Sequence, residues 1–386
     1  MPVPIAPPTS PTGAPSGTPS VAPRAPAPRL DDWTVESLQG WHLPLLDDPA
    51  FVPLQPLLQR ALLLAVPERL ISAVAAYRPL VPQVLVAFRR DGRGRQQALG
   101  LIVSRRLNRT GSCWQVEHLR LALRASGDPS APSRQQLSAS LLREAILRGR
   151  GAASWIAVAA SVDDDRLASL REQGFQPQRT DRLWRWSPRA DLPSPPVPST
   201  LQLWPLHRRT APLLWHLEQA GCPAHLRQLL DRRIEDLLDQ SQGRGWMLVD
   251  PSRREAVAGA RLLGEHPAGG HLVEFTLHPG WSHLLGAPTE RLLRELTPSG
   301  APLWLLSEVG DGERQAWLAS LGAEACGEQV LMARSVWRRH ERQPLRSSAR
   351  RRLAAMLEPF QPRRQPIPSP FTPRPSGCPR RPLATR

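Results

Sequence analysis

Residues Ser154–Ser187 read SWIAVAASVDDDRLASLREQGFQPQRTDRLWRWS, and this stretch decides the fold. Trp155 to Ala160 is an apolar run of strand length. Asp163, Asp164 and Asp165 then mark a helix start, Gly174 marks its end, and Leu183 to Ser187 is a second strand. The pattern returns 148 residues later, with Asp163 set on Asp311, Arg166 on Arg314, Ala168 on Ala316, Leu170 on Leu318 and Gly174 on Gly322. A strand-helix-strand unit repeated in register indicates two copies of one domain.

Composition locates the cores. Residues 1–29 carry ten prolines and residues 340–386 ten more, of 44 in the 386-residue chain. These flanks are expected to be disordered or polyproline-like, a leader and a tail around the folded middle. Of the net charge of +16, the tail supplies +9 through 11 arginines against Glu341 and Glu358, and Arg24 and Arg29 add +2. The folded middle keeps only +5. The chain has no lysine, one asparagine and 13 tryptophans, which suggests a coding bias toward arginine more than a selected nucleic-acid surface. Cys113, Cys222, Cys326 and Cys378 form no C-x-x-C pair, so neither zinc nor a disulfide framework is expected. The start lacks a signal-peptide pattern and no apolar run reaches about 18 residues, so a cytoplasmic protein without a membrane span is expected.

Read in order, Trp41–Leu46 is expected as a first strand. Phe51–Tyr77 is expected as two or three short helices, because Pro53, Pro56 and Pro67 interrupt it. Val84–Phe88, Ala98–Arg105 and Trp114–Leu123 form an antiparallel meander, and a helix follows over Arg134–Leu147. After a linker at 191–200, Leu201–Pro205 opens the second copy. Its expected helices are His207–Gln219 and Ala224–Gln240. Trp246–Val249, Ala256–Leu263 and His271–Leu277 repeat the meander, a helix begins near Pro288, and Leu303–Ser307 and Val330–Trp337 complete the echo. The reading gives a mixed α/β (α+β) chain, with one domain over 30–190, another over 201–339, and each a mostly antiparallel sheet flanked by helices.

The order strand, two helices, three-strand meander, helix, strand, helix, two strands resembles the GNAT superfamily of N-acetyltransferases, here in tandem over roughly 33–187 and 201–339. The D-x-x-R-x-A-x-L-x-x-x-G echo looks like the closing helix of that family. The resemblance implies a glycine-rich loop after the fourth strand, opening a helix whose backbone N–H groups hold the pyrophosphate of acetyl-CoA. Neither copy keeps that loop intact. In the first, Gln136 and Ser138 replace the glycines, and Ser133-x-x-Gln136 reads as a capping box that occupies the donors. In the second, Leu277, His283, Leu284, Leu285, Gly286 and Ala287 form the candidate cradle, with Pro288 removing one donor.

An acyl transfer to an amine needs a base for the ammonium proton. The resemblance puts a glutamate on the fourth strand, which is Glu274 in the second copy and Glu117 in the first. Glu274, Thr276 and His278 alternate onto one strand face, making Glu274 and His278 the candidate catalytic pair. Leu170 and Leu318 stand where the family usually has a tyrosine acid. The reading is an acetyl-CoA-dependent N-acyltransferase with no metal, acting through its second copy on a small-molecule or protein amine. The alternative is a non-catalytic interaction protein whose tail, with a basic helix over Ser347–Leu357, contacts nucleic acid or an acidic partner.

Overall fold

The first copy runs β1 (Thr34–Ser37), α1 (Gln55–Val74), β2 (Gln83–Arg90), β3 (Gln96–Arg106), β4 (Cys113–Leu121), α2 (Arg134–Arg148), β5 (Ser154–Ala160), α3 (Asp164–Glu172) and β6 (Gln176–Trp186). The second runs β7 (Gln202–Pro205), α4 (Ala211–Gly221), α5 (Ala224–Leu230), α6 (Ile234–Gln240), β8 (Gly245–Asp250), β9 (Glu255–Glu265), β10 (His271–Leu277), α7 (Ala287–Leu296), β11 (Leu303–Glu308), α8 (Gly312–Ser320) and β12 (Glu324–Ser335). The structure is a computed structural model that describes residues 33–74, 82–90, 96–123, 132–188, 195–241, 244–297 and 300–335. The proline-rich leader and the basic tail with its expected helix lie outside the described residues. Among the described residues no helix is long and apolar enough to cross a membrane, and no group of His, Cys, Asp and Glu could hold a metal ion.

Each copy was expected to close with two strands, but each makes only one long strand. The missing strand comes from the other copy. The sheet order is β1-β2-β3-β4-β5-β12-β6-β11-β10-β9-β8-β7, one sheet of twelve strands. β12 lies antiparallel between β5 and β6, with Met332 opposite Ala157 and Val330 opposite Thr180. β6 in turn pairs with β11, with Trp184 opposite Leu305. The cores follow the exchange. Met332, from the second copy, is fully buried among Trp155, Leu170 and Phe175 of the first. Trp184 and Trp186, from the first copy, are buried with Leu303, Trp317 and Leu318 of the second. Both copies belong to one compact unit.

Alternation along the strands puts a core on each face of the sheet. Leu85, Leu99 and Ile102 face Leu141 and Leu142 of α2, whereas Val84, Val86 and Leu101 face Phe51, Leu54 and Leu58 at the start of α1. In the second copy α4 lies so close to β9 that a Cβ on Gly259 would meet Leu214 at 2.4 Å, so this position needs glycine. The repeated helix-end glycines are explained by a repeated turn. Gly174 and Gly322 have φ of 81° and 77°, and the next residues donate back to Leu170 O and Leu318 O at 3.0 Å.

Three expected elements differ. Gly40–Leu45 is a 3-10 helix, and the first strand is the earlier Thr34–Ser37. His42, which was counted in the strand, is buried there and its Nδ1 accepts from Gln39 N at 2.8 Å. α1 continues past Pro67 as one helix, with Leu58 and Ala61 of its first turns in the core. Ala224–Gln240 breaks into α5 and α6 at Asp231, which adopts a left-handed φ of 43°.

Candidate active site

Parallel strands β4 and β5 pair only from Cys113 and Ser154 to Val116 and Ala157. Beyond Val116, β4 diverges from β5, and Leu119, Arg120 and Leu121 line an opening. β10 and β11 diverge even sooner, after Leu272 and Trp304. Each copy therefore has a wedge in its sheet, with the next helix starting at its mouth.

In the first copy the wedge is a cleft of about 420 Å³. Its floor is the end of β4, and its sides are the starts of α2 and α3 and the loop before α1. Arg120, Arg134 and Arg166 line it, opposed by Asp163 and Asp165 at the start of α3. Asp163 is engaged as the helix cap, its Oδ1 accepting from Arg166 N at 3.1 Å. Burial pushes the Arg166 pKa down, against the pull of Asp163 and with the repulsion of Arg120. That guanidinium is a desolvated cation at an open cleft. Ser133 and Gln136 do form the capping box, with Gln136 N donating to Ser133 Oγ at 3.1 Å and Ser133 N to Gln136 Oε1 at 3.2 Å. With those two backbone donors taken, an anion in this cleft would meet chiefly side-chain guanidinium groups.

Where β4 diverges, Glu117 and His118 sit at a bulge opposite Val103 and Ser104. Glu117 Oε1 lies 2.7 Å from Arg105 Nε. Burial raises the Glu117 pKa, with Arg105 acting in the opposite direction, so this carboxylate has the character of a proton acceptor. His118 is pushed down to about 4 by burial and by Arg120, Arg166 and Arg105, so it is neutral near pH 7.

The second copy assembles its candidates differently. Glu274 enters a buried ionic cluster, where it accepts from Arg232 Nη1 at 3.0 Å and from Arg261 Nη2. Glu218 accepts from the same pair, at 3.4 Å and 2.8 Å. Burial opposes the Glu274 charge, but Arg232 and Arg261 outweigh it and bring its pKa down to about 2. A carboxylate that holds a proton so weakly serves the cluster better than it serves as a base. His278 lies outside this cluster, and its Nδ1 accepts from Gly280 N at 3.2 Å. The residues of the expected cradle are divided. Leu277 and Leu284 are buried in the core, with Leu285 packed against it. Gly286 precedes α7 with φ of 151° and open space at its Cβ, but its N–H donates to Thr289 Oγ1 at 3.0 Å. His283 stacks near Trp281, and Ala287 and Pro288 form the first turn of α7. Arg314 lies across the wedge, its guanidinium 5.2 Å from the Phe275 ring and 3.5 Å from Phe275 O.

Glu274 is thus engaged by two arginines and His278 by Gly280 N, and the cleft described above lies in the first copy. Sequence reading passed over Arg120, Arg134 and Arg166 as sites, although Arg166 stands in the repeated D-x-x-R. It also missed the ionic cluster, whose one sequence signal is a charged Arg261 inside the apolar run of β9.

Comparison with solved structures places the fold. A GCN5-related N-acetyltransferase from Sphaerobacter thermophilus superposes with a TM-score of 0.50 and 13% identity, over 79% of this chain and 96% of that one. A tandem GNAT protein from the clavulanic acid biosynthesis pathway superposes with a TM-score of 0.49 and 14% identity, over 80% of this chain and 99% of that one. No family model and no curated protein matches the sequence.

Proposed function

Because the chain carries the fold of the GNAT N-acetyltransferases in two copies, we propose that it is an acyl-CoA-dependent N-acyltransferase whose donor site is the cleft of the first copy. The observation that carries this reading is the coincidence of three features at one wedge. The cleft is open, Arg120, Arg134 and Arg166 line it, and Glu117 stands on the same strand where that strand diverges. The arginines hold the phosphates of the thioester, in place of the eroded glycine loop. The thioester supplies an activated acyl carbonyl. Glu117 takes the proton of the incoming amine on Oε2, while Arg105 holds Oε1 and keeps the carboxylate oriented. The helix position for a tyrosine acid is Leu170, so the departing thiolate takes its proton from water. The second copy, with its wedge crossed by Arg314 and its glutamate in the ionic cluster, supports the first through the exchanged strand.

Calorimetric titration of the full chain with acetyl-CoA tests the reading, with thermal unfolding as a control of folding. Charge reversal at the exposed positions, Arg120→Glu and Arg134→Glu, is expected to weaken binding about tenfold each, about 1.4 kcal/mol. Gly286→Arg, in the other copy, is expected to leave it unchanged. Loss of binding in Gly286→Arg alone would return the donor site to the second copy, with Glu274 and His278 as its candidates. Absence of binding by the wild type up to millimolar thioester would favour a non-catalytic interaction protein.

A further inference from the structure

Part of the cleft's lining is apolar: Pro49, Ala50 and Pro53 of the loop before α1 form a wall together with Leu121 and, just past β4, Leu123. Phe51 is fully buried and Leu54 nearly so, which anchors the loop in the core below. Asp48, itself buried, fastens it to the sheet, since its Oδ1 accepts from Ala50 N at 3.0 Å and from Leu123 N at 3.2 Å. The backbone of this wall is also satisfied internally, through Phe51 N to Asp48 O and Leu54 N to Phe51 O. Two prolines stiffen it. The result is a fixed surface that offers carbon to the cleft, and part of that carbon stays in water. Leu123 is 58% exposed.

An acetyl group is too small to use such a wall. We propose that the cleft selects a thioester with a longer, medium-length alkyl acyl chain, laid against Pro49, Ala50, Pro53 and Leu123 while Arg120, Arg134 and Arg166 hold the anionic end. The proposal rests on the donor site assigned above. One ligand spans both chemistries because the cationic and apolar residues line a single cleft with β4 as its floor. Of the two sets of contacts, only the apolar one depends on chain length.

The test is calorimetry on the full chain with CoA, acetyl-CoA and octanoyl-CoA, the last kept below its micelle concentration. Six additional methylenes, about half covered in a cleft open on one side, should tighten octanoyl-CoA about thirtyfold over acetyl-CoA, the equivalent of about 2 kcal/mol. Ala50→Trp fills the groove and Leu123→Glu makes it polar, and each should bring the ratio of the two affinities close to one. Equal affinity in the wild type overturns the chain-length proposal and leaves the donor site standing. A wild-type preference that survives both substitutions also overturns it. If none of the three ligands binds, the donor site itself falls, and this proposal with it.

Discussion

Met332→Ala tests the strand exchange most directly. Met332 belongs to the second copy by sequence, yet it lies opposite Ala157 of β5 with no exposed surface, packed among Trp155, Leu170 and Phe175. Truncating a fully buried methionine removes its transfer free energy and leaves a cavity, together about 3 kcal/mol within a range of about 2–5. The strands around it belong to the first copy's core, so the loss should appear there. Hydrogen exchange followed by mass spectrometry reads this locally. At about 1.4 kcal/mol per decade, amides of Ser154–Ala160 should exchange about two decades faster, although they lie 172 positions or more before the substitution. The reciprocal substitution, Trp184→Ala, should accelerate Leu303–Glu308, since Trp184 packs with Leu303 and its Nε1 donates to Ser307 Oγ at 2.9 Å. If Met332→Ala accelerates only β8 to β11 and leaves Ser154–Ala160 unchanged, β12 does not sit where the sheet order puts it, and the reasoning fails.

Other outcomes follow from the same geometry. Glu274 has a folded pKa near 2 against an ordinary 4.5, so its contribution is present above about 4.5 and lost as pH falls toward 2; urea titrations across that window should show a decline of at most about 3 kcal/mol, flattened in Glu274→Gln. Glu117 is shifted upward, so a rate that depends on its ionised form should fall as pH drops through a pKa above the usual glutamate value, and Glu117→Gln should remove that limb of the profile along with about two decades of kcat. Gly322 has φ of 77° and open space around its Cβ, so Gly322→Ala should cost about 1 kcal/mol from backbone conformation alone, read as a lower urea midpoint with unchanged slope. Asn108 donates to Leu230 O and Asp231 O across the copies, at 3.2 and 3.0 Å; Asn108→Ala should cost about 1–3 kcal/mol and speed exchange in α5 before it affects β1.

What the sequence made legible was local. The caps at Asp163 and Asp311, the Ser133–Gln136 box and the left-handed glycines at 174 and 322 are all written within four residues of where they act, and the structure has each of them. The meanders were likewise legible from alternation between turns. The exchange of β6 and β12 was not, because a strand's pattern records which face is buried and not which neighbour it pairs with. The lengths held a partial clue, since Leu183–Ser187 was read as a short strand whereas β6 begins at Gln176, across the polar residues Gln178, Arg179 and Arg182. Of those residues Arg182 bonds across to the other copy, to Glu328 and Gln315, whereas Gln178 and Arg179 bond within β6, to Gln176 and Asp181. The surroundings of the candidate base were hidden for a related reason. A glutamate on a strand reads the same whether it faces a substrate or two arginines, and Arg232 and Arg261 are 42 and 13 positions from Glu274.

The position of β12 also sets a timetable for synthesis. Among the described residues it is the last strand to be made, and it is one of the two at the middle of the sheet. When the ribosome has finished β5 at Ala160, the edge that β12 will cover stays bare until Ser335 has emerged, 175 residues later. At about 5–20 residues per second that is about 9–35 s with an unpaired strand edge in the half that is already folding. A nascent chain stalled near Gly322 should therefore be captured by chaperones and cut readily within the first copy, and one released past Ser335 should not.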